Sequence, residues 1–361
     1  MYPIRDVKVR SVTIPTDRPE SDGTIQWDHT TVVIAEIQAG NCTGLGLTYA
    51  SKAAATLIEE TLRDQVIGKS ALDIPSCWSA MVASVRNVGR PGIASMAISA
   101  MDFALWDLKA KLLVLPLHQL LGTCRKLAPV YGSGGFTSYT RKELQDQLAG
   151  WVEQGIPRVK MKVGREPDRD VERVSNAREA IGESAELFVD ANGAYDVKRA
   201  LDLGERFVEY GVTWFEEPVS SDDLKGLAFL RTWLPAPMNV AAGEYGFDEY
   251  YFLRMLEQGA VDVMQADATR CGGITGFLRA AALAESYHIP VSAHCAPSMH
   301  AALGCHVVGF RHLEYFHDHV RIERMLFDGV PELVRGSLKP DDSRPGFGLE
   351  LKEADLDRLA A

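Results

Sequence analysis

From Pro129 onward the chain alternates short apolar runs with longer amphipathic stretches. The runs are Val130–Ser133, Arg158–Val163, Leu187–Asp190, Val212–Phe215, Met238–Ala242, Val261–Ala266 and Pro290–Ala293, and His312–Glu314 can serve as an eighth. Between them lie helical patterns at Thr140–Gly155, Asp170–Ile181, Val197–Tyr210, Asp223–Trp233, Asp248–Gln258 and Ile274–Tyr287. The first of these opens on a capping box, Thr140-Arg141-Lys142-Glu143, and Gly211 stands where a helix C-terminal glycine belongs. Strand and helix in strict alternation predict a parallel sheet, and eight strands is the number at which such a sheet closes into a barrel.

The first third reads differently. Val7–Val12 alternates like a half-buried strand, and Thr31–Ile37 and Gly44–Tyr49 are two further strand candidates. Helical patterns follow at Lys52–Ile67, Asp73–Val85 and Ile93–Leu113. Strands followed by helices predict a separate α+β domain over residues 1–125. The polar stretch Pro15–Thr30, with Trp27, Asp28 and His29, reads as a long loop, and loops of that length often act as lids. The barrel is assigned to 126–320. The segment 321–361, with Pro331, Pro340 and Pro345, lacks the barrel rhythm and is expected to pack back on the N-terminal domain.

Composition narrows the function classes. Hydrophobic residues make up 46% of the 361, enough for a large core. The net charge of −11 and the lack of any basic run argue against nucleic acid or an anionic membrane as partner. Six scattered cysteines without a CxxC pair suit reduced thiols in the cytoplasm. The N-terminal residues carry no apolar signal core. The longest apolar stretch, Ile93–Leu117, contains Asp102, Asp107, Lys109 and Lys111, which makes it a buried amphipathic helix rather than a membrane span.

The candidate chemistry sits at the ends of the runs. Asp190, Glu216 and Glu244 each close a predicted strand, at spacings of 26 and 28 residues, and Asp267 follows 23 residues later. Such spacings fit one βα unit, so the acids converge on the C-terminal face of a barrel, where active sites lie. Three crowded carboxylates repel unless a hard divalent cation such as Mg²⁺ joins them. Glu216 is preferred to Glu217 as the ligand because it ends the strand. Asn192, two residues beyond Asp190, can face a substrate or simply serve a turn. Lys160 and Lys162 point the same way along one strand, into the barrel. Two adjacent ammoniums are expected to lower one pKa and yield a general base. Asp267 and His294, 27 residues apart, form an oriented acid–base pair. Glu314 can donate a hydrogen bond to a substrate if it is held protonated, or pair with Arg311. Gly272-Gly273 reads as a tight turn in preference to a phosphate site, and Cys295 as a packing residue.

These residues together resemble the enolase superfamily, specifically its mandelate racemase-like subgroup. The resemblance rests on Lys160-Met161-Lys162, Val189-Asp190-Ala191-Asn192, Trp214-Phe215-Glu216-Glu217-Pro218, Gly243-Glu244, Asp267 with Gly272-Gly273-Ile274-Thr275, His294 and Glu314. It implies a modified TIM-type (β/α)7β barrel with an N-terminal α+β capping domain. It also implies Mg²⁺ on Asp190, Glu216 and Glu244, and abstraction of the α-proton of a carboxylic acid by Lys162 with Lys160 nearby. His294, oriented by Asp267, then acts on the opposite face. The implied activity is dehydration of an acid sugar, an aldonate or aldarate, to a 2-keto-3-deoxy acid. The same residues also allow a racemase or epimerase of a 2-hydroxy acid. A metal-binding scaffold without activity is the third reading, and a full set of acid, base and ligands argues against it. Specificity is expected to involve Trp27, His29 and Tyr49, and the resemblance implies a symmetric homo-oligomer.

Overall fold

The computed structural model describes residues 2–354. Three antiparallel strands, β1 (Ile4–Ser21), β2 (Gln26–Ala39) and β3 (Cys42–Tyr49), form a sheet in the order β1-β2-β3. Helices α1 (Ala53–Leu57) and α2 (Arg63–Val66) flank a π-helical turn at Ile58–Leu62, and α3 (Ile74–Ser84), α4 (Ile93–Leu112) and α5 (Leu117–Leu121) follow. Helix α4 lies directly on β3. A Cβ at Gly44 or Gly46 would come within 2.1 Å of the Ala104 or Ala100 carbonyl oxygen, so only glycine allows this approach.

Next come eight parallel strands: β4 (Ala128–Gly134), β5 (Arg158–Lys162), β6 (Glu186–Asp190), β7 (Val212–Glu216), β8 (Asn239–Ala242), β9 (Val263–Ala266), β10 (Val291–Ala293) and β11 (Phe310–Phe316). Each pairs with the next, and β11 pairs with β4 to close the ring. Seven helices fill the intervals: α6 (Arg141–Glu153), α7 (Asp170–Ile181), α8 (Val197–Phe207), α9 (Leu224–Trp233), α10 (Glu249–Glu257), α11 (Gly273–Ser286) and α12 (Pro297–His306). This is the expected (β/α)7β barrel with an N-terminal α+β domain beside it. The interval 297–306, to which the sequence pattern assigned no helix, holds α12. Its buried, small-residue composition carries no amphipathic signature.

Helix α13 (His317–Leu326) follows the last barrel strand, and four short strands complete the fold: β12 (Phe327–Asp328), β13 (Glu332–Leu333), β14 (Ser337–Lys339) and β15 (Glu350–Leu351). Strand β14 pairs antiparallel with β4. Gly346 exchanges backbone hydrogen bonds with Leu115 and Leu117, and the Phe347 amide donates to Asp107 of α4. Residues 355–361 of the 321–361 segment lie outside the described residues.

The Pro15–Thr30 stretch departs from its expected form. It is a β-hairpin arm, in which β1 runs on to Ser21 and β2 begins at Gln26. Asp22 Oδ1 caps the turn by accepting from the Thr24 and Ile25 amides. The arm is pinned to the barrel mouth. The Thr137 amide donates to the Ser21 carbonyl, Thr137 Oγ1 to that of Asp22, and Thr30 Oγ1 to Asp318 Oδ2. Its polar residues hide the strand pattern because one end packs on polar loops instead of on an apolar core. The pairing is also irregular between Pro15 and Glu20.

Candidate active site

Alternation along each barrel strand sorts the interior into layers. Tyr131, Phe188, Trp214 and His312 fill the lower part, with Phe188 and Trp214 stacked at 5.3 Å. Two residues further along the same strands stand Ser133, Asp190, Glu216 and Glu314, and β5 contributes Lys160 and Lys162. Apolar packing below thus fixes where the charged layer sits above.

Lys160 Nζ lies 2.5 Å from Glu216 Oε1, 2.8 Å from Glu314 Oε1 and 3.4 Å from Asp190 Oδ2. Lys162 Nζ is 2.5 Å from Asp190 Oδ2. The expectation that one lysine pKa falls is reversed. Burial lowers both, but Glu216 and Glu314 at Lys160, and Asp190 at Lys162, push the balance upward. The two ammoniums repel each other, but the carboxylates between them outweigh that repulsion.

Glu314 also differs from expectation. Burial raises its pKa, yet Lys160 and His294 reverse this and hold it well below the carboxylate range. It therefore accepts, from Ser133 Oγ at 2.5 Å and the Cys295 amide at 3.1 Å, instead of donating. Arg311 is not its partner, since that guanidinium lies over the Trp214 ring.

Asp190, Glu216 and Glu244 are all buried, and each offers an oxygen within 4.8 Å of the others. Three hard oxygen donors on adjacent strands fit Mg²⁺. Two further observations agree with that fit. Glu244 Oε2 is buried without a hydrogen-bond partner, as is Oε1 of neighbouring Glu217. Glu217, which the strand-end position ranks below Glu216, is 1% exposed, has φ +37° and feels the charges of Glu244, Asp190 and Glu216. Burial and then the neighbouring carboxylates raise the pKa of Glu217 and push that of Glu216 up to about 8. Burial also raises the pKa of Asp190, but its two lysines bring it below the usual range.

His294 Nδ1 stands 2.7 Å from Asp267 Oδ2. Asp267 also accepts from the Thr269 amide and hydroxyl, both at 2.7 Å. Burial opposes its ionisation, but the His294 hydrogen bond and charge more than offset this, so it stays ionised. A carboxylate only accepts, so Nδ1 carries the proton. Nε2 faces Glu244 Oε2 at 3.3 Å. Burial lowers the His294 pKa, but Glu244, opposed by Arg270 and joined by Asp267, leaves it raised overall.

A cavity of about 420 Å³ opens onto these groups, lined by Lys162, Asn192, Glu244, Asp267, His294 and Glu314. The expected outer residues Trp27, His29 and Tyr49 line it as well. Trp27 Nε1 donates to Glu20, His29 pairs with Asp28, and Tyr49 stacks on His319 at 3.4 Å. Arg270 and His319 line it too. Arg270 had only a polar position after a strand end as signal, whereas His319 belongs to the polar cluster His317-Asp318-His319 behind the last barrel strand, which reads either as a contributor to specificity or as a solvated loop. Burial pushes the His319 pKa down to about 3, so its ring is neutral near pH 7. The Gly272-Gly273 turn holds no anion site on its amides. Both donate to Ser99 Oγ of α4, which docks the N-terminal domain on α11.

Two family models cover most of the chain. The N-terminal domain of mandelate racemase / muconate lactonizing enzyme matches residues 4–122, and an enolase C-terminal domain-like family matches 143–355. L-talarate/galactarate dehydratase of Salmonella typhimurium is 32% identical over 362 residues, 96% of this chain and 88% of that protein. Its crystal structure liganded with Mg and L-lyxarohydroxamate matches with a TM-score of 0.90 at 30% identity, over 99% of this chain and 93% of that one. A 3,6-anhydro-alpha-L-galactonate cycloisomerase of Streptomyces coelicolor is 32% identical over 97% of this chain and 96% of its own length. A mandelate racemase/muconate lactonizing enzyme-like protein from Rubrobacter xylanophilus has a TM-score of 0.97 and 52% identity, with 99% of both chains covered.

Proposed function

The chain belongs to the mandelate racemase / muconate lactonizing enzyme family of the enolase superfamily, and from that premise we propose that it is a Mg²⁺-dependent dehydratase of an acid sugar. One observation carries the reading: Lys162 and the Asp267-oriented His294 line a single cavity together with Glu244 of the carboxylate cluster. The product is a 2-keto-3-deoxy acid, and the enzyme is a hydro-lyase.

Asp190, Glu216 and Glu244 would hold the metal. When bound, it supplies charge neutralisation for these carboxylates and for the substrate carboxylate. Lys162 accepts the α-proton in its neutral form, which a cation on Asp190 would favour by neutralising the carboxylate that raises the Lys162 pKa. The electron pair left behind moves towards the carboxyl group and returns to expel the β-hydroxyl. His294 protonates that oxygen through Nε2, so it leaves as water, and the enol becomes the ketone. Asp267 keeps His294 in the tautomer this transfer needs. Lys160 fixes Glu216 and Glu314 and adds positive charge below the reacting carbons. Asn192, with a buried, unpartnered Oδ1, and Trp27, His29 and Tyr49 are assigned to binding the hydroxylated chain.

Return of the proton to carbon by His294 would give an epimerase or racemase, a reading favoured by the same two-sided Lys/His pair. The experiment is a screen of aldonates and aldarates with Mg²⁺ in D₂O, read by semicarbazide trapping and by NMR. A trapped 2-keto product supports dehydration and names the substrate. Deuterium at the α-carbon without a keto product moves the assignment to epimerisation, and silence across the library sinks the acid-sugar class.

The working form is taken to be a cytoplasmic homo-oligomer that binds neither nucleic acid nor membrane. The net charge of −11 disfavours polyanionic partners, and the exposed neighbours Phe229 and Trp233 on α9 offer an apolar contact for a second copy. Among the described residues no helix is long and apolar enough to cross a membrane.

A further inference from the structure

Cys295 stands beside the acid–base pair yet has no part in the proposed reaction. Its Sγ is 3.2 Å from His294 Nε2 and 3.3 Å from Glu314 Oε2, and those two atoms are 3.6 Å apart. Around a tetrahedral zinc ion, S···N, S···O and N···O edges built from ordinary bond lengths are about 3.3–3.6 Å. The three atoms therefore lie within a few tenths of an ångström of one face of a zinc tetrahedron. Cys295 is held there by a backbone at φ +51° and by its amide, which donates to Glu314 Oε2.

The surroundings suit a metal in three ways. Asp267 accepts the Nδ1–H hydrogen bond of His294, which turns Nε2 towards the cluster as the nitrogen a metal would take. A carboxylate behind a ligating histidine is the usual support for such a ligand. Lys160 engages the other oxygen of Glu314, so Oε2 faces the cluster. All three donor residues line the open cavity, so an ion can enter. Sulfur and imidazole prefer Zn²⁺ or Co²⁺ to Mg²⁺, which keeps this tripod distinct from the all-oxygen cluster.

We infer that His294 Nε2, Cys295 Sγ and Glu314 Oε2 form a second metal site, which takes a borderline-soft divalent cation such as Zn²⁺ and inhibits the enzyme when filled. Binding forms metal–thiolate and metal–imidazole bonds; the thiol proton and the proton on His294 Nε2, where it is present, pass to solvent, with no change of oxidation state. Inhibition arises because the ion occupies the nitrogen that would otherwise transfer a proton. The inhibition half rests on the proposed function; the binding half does not.

The test begins with Co²⁺ added to the full chain in saturating Mg²⁺. A near-ultraviolet thiolate-to-cobalt charge-transfer band is expected. Cys295→Ser should abolish it and Cys124→Ser, at an exposed thiol, should leave it. Absence of the band in the unaltered protein overturns the site whether or not a substrate is known. With a substrate in hand, Zn²⁺ inhibition is measured in excess Mg²⁺, each protein against its own zinc-free rate. Cys295→Ser should weaken inhibition by about 10-fold or more. Equal inhibition of both proteins would show that zinc acts elsewhere and overturn the inhibitory role.

Discussion

At the scale of single residues, the site depends on which atom each charge faces. His294 has its Nδ1 proton committed to Asp267, and Lys162 faces the same cavity. Positioned acid–base groups contribute roughly 10²–10⁴-fold. His294→Asn and Lys162→Ala should therefore each lower kcat by at least about 100-fold, while calorimetry still detects Mg²⁺ binding. Near-normal turnover in both variants would refute the assignment of base and acid. Glu217 marks the limit of reading residues one at a time. A strand-end rule favours Glu216, yet the next residue, at φ +37°, is equally buried and its charge couples to Glu244 and Asp190.

At the scale of elements, the decisive contact is α4 against α11 and β3. Asp102 of α4 accepts from the Thr275 amide at 2.9 Å and pairs with its hydroxyl at 2.7 Å. Burial outweighs these bonds and raises its pKa to about 7. The folded value exceeds the unfolded one near 3.8. Its stabilising contribution is therefore complete below that lower value and is lost as pH rises through about 7. Asp102→Asn keeps both hydrogen bonds without a charge. Denaturant titrations should show the variant gaining on the parent protein between pH 5 and pH 8, whereas a constant difference would contradict the buried ionisation. On the other side of α4, Gly46→Ala would drive a Cβ into the Ala100 carbonyl. Such overpacking costs about 1–3 kcal/mol, so its urea midpoint should fall without a change in strand content.

At the scale of the molecule, the barrel crowds more carboxyl groups together than its own cations can pair. Asp190, Glu216, Glu217, Glu244, Asp267 and Glu314 are buried around Lys160, Lys162 and Arg270. A divalent cation that binds only the folded form stabilises it by about 2.7 kcal/mol at 100 times its Kd. Mg²⁺ should raise the thermal midpoint in a concentration-dependent way, EDTA should reverse the shift, and Glu244→Gln should shrink it. A midpoint indifferent to Mg²⁺ would remove the metal from the proposal.

The barrel and its strand-end acids were legible along the chain because both follow from local periodicity. A strand, a helix and two turns occupy a nearly constant length, so Asp190, Glu216, Glu244, Asp267 and His294 recur in step. The N-terminal arm was not legible, since Pro15, Asp17, Arg18 and Pro19 break strand alternation and its partners, Thr137 and Asp318, lie far along the chain. The upward shift of both lysines and the ionised state of Glu314 were equally hidden. Each depends on charges brought within a few ångströms by separate strands, and electrostatic energy follows distance in space, not position in sequence. Local periodicity along the chain is enough to place these groups at the barrel mouth. Which of them pair follows from closure of the ring, because the partners come from strands far apart in sequence.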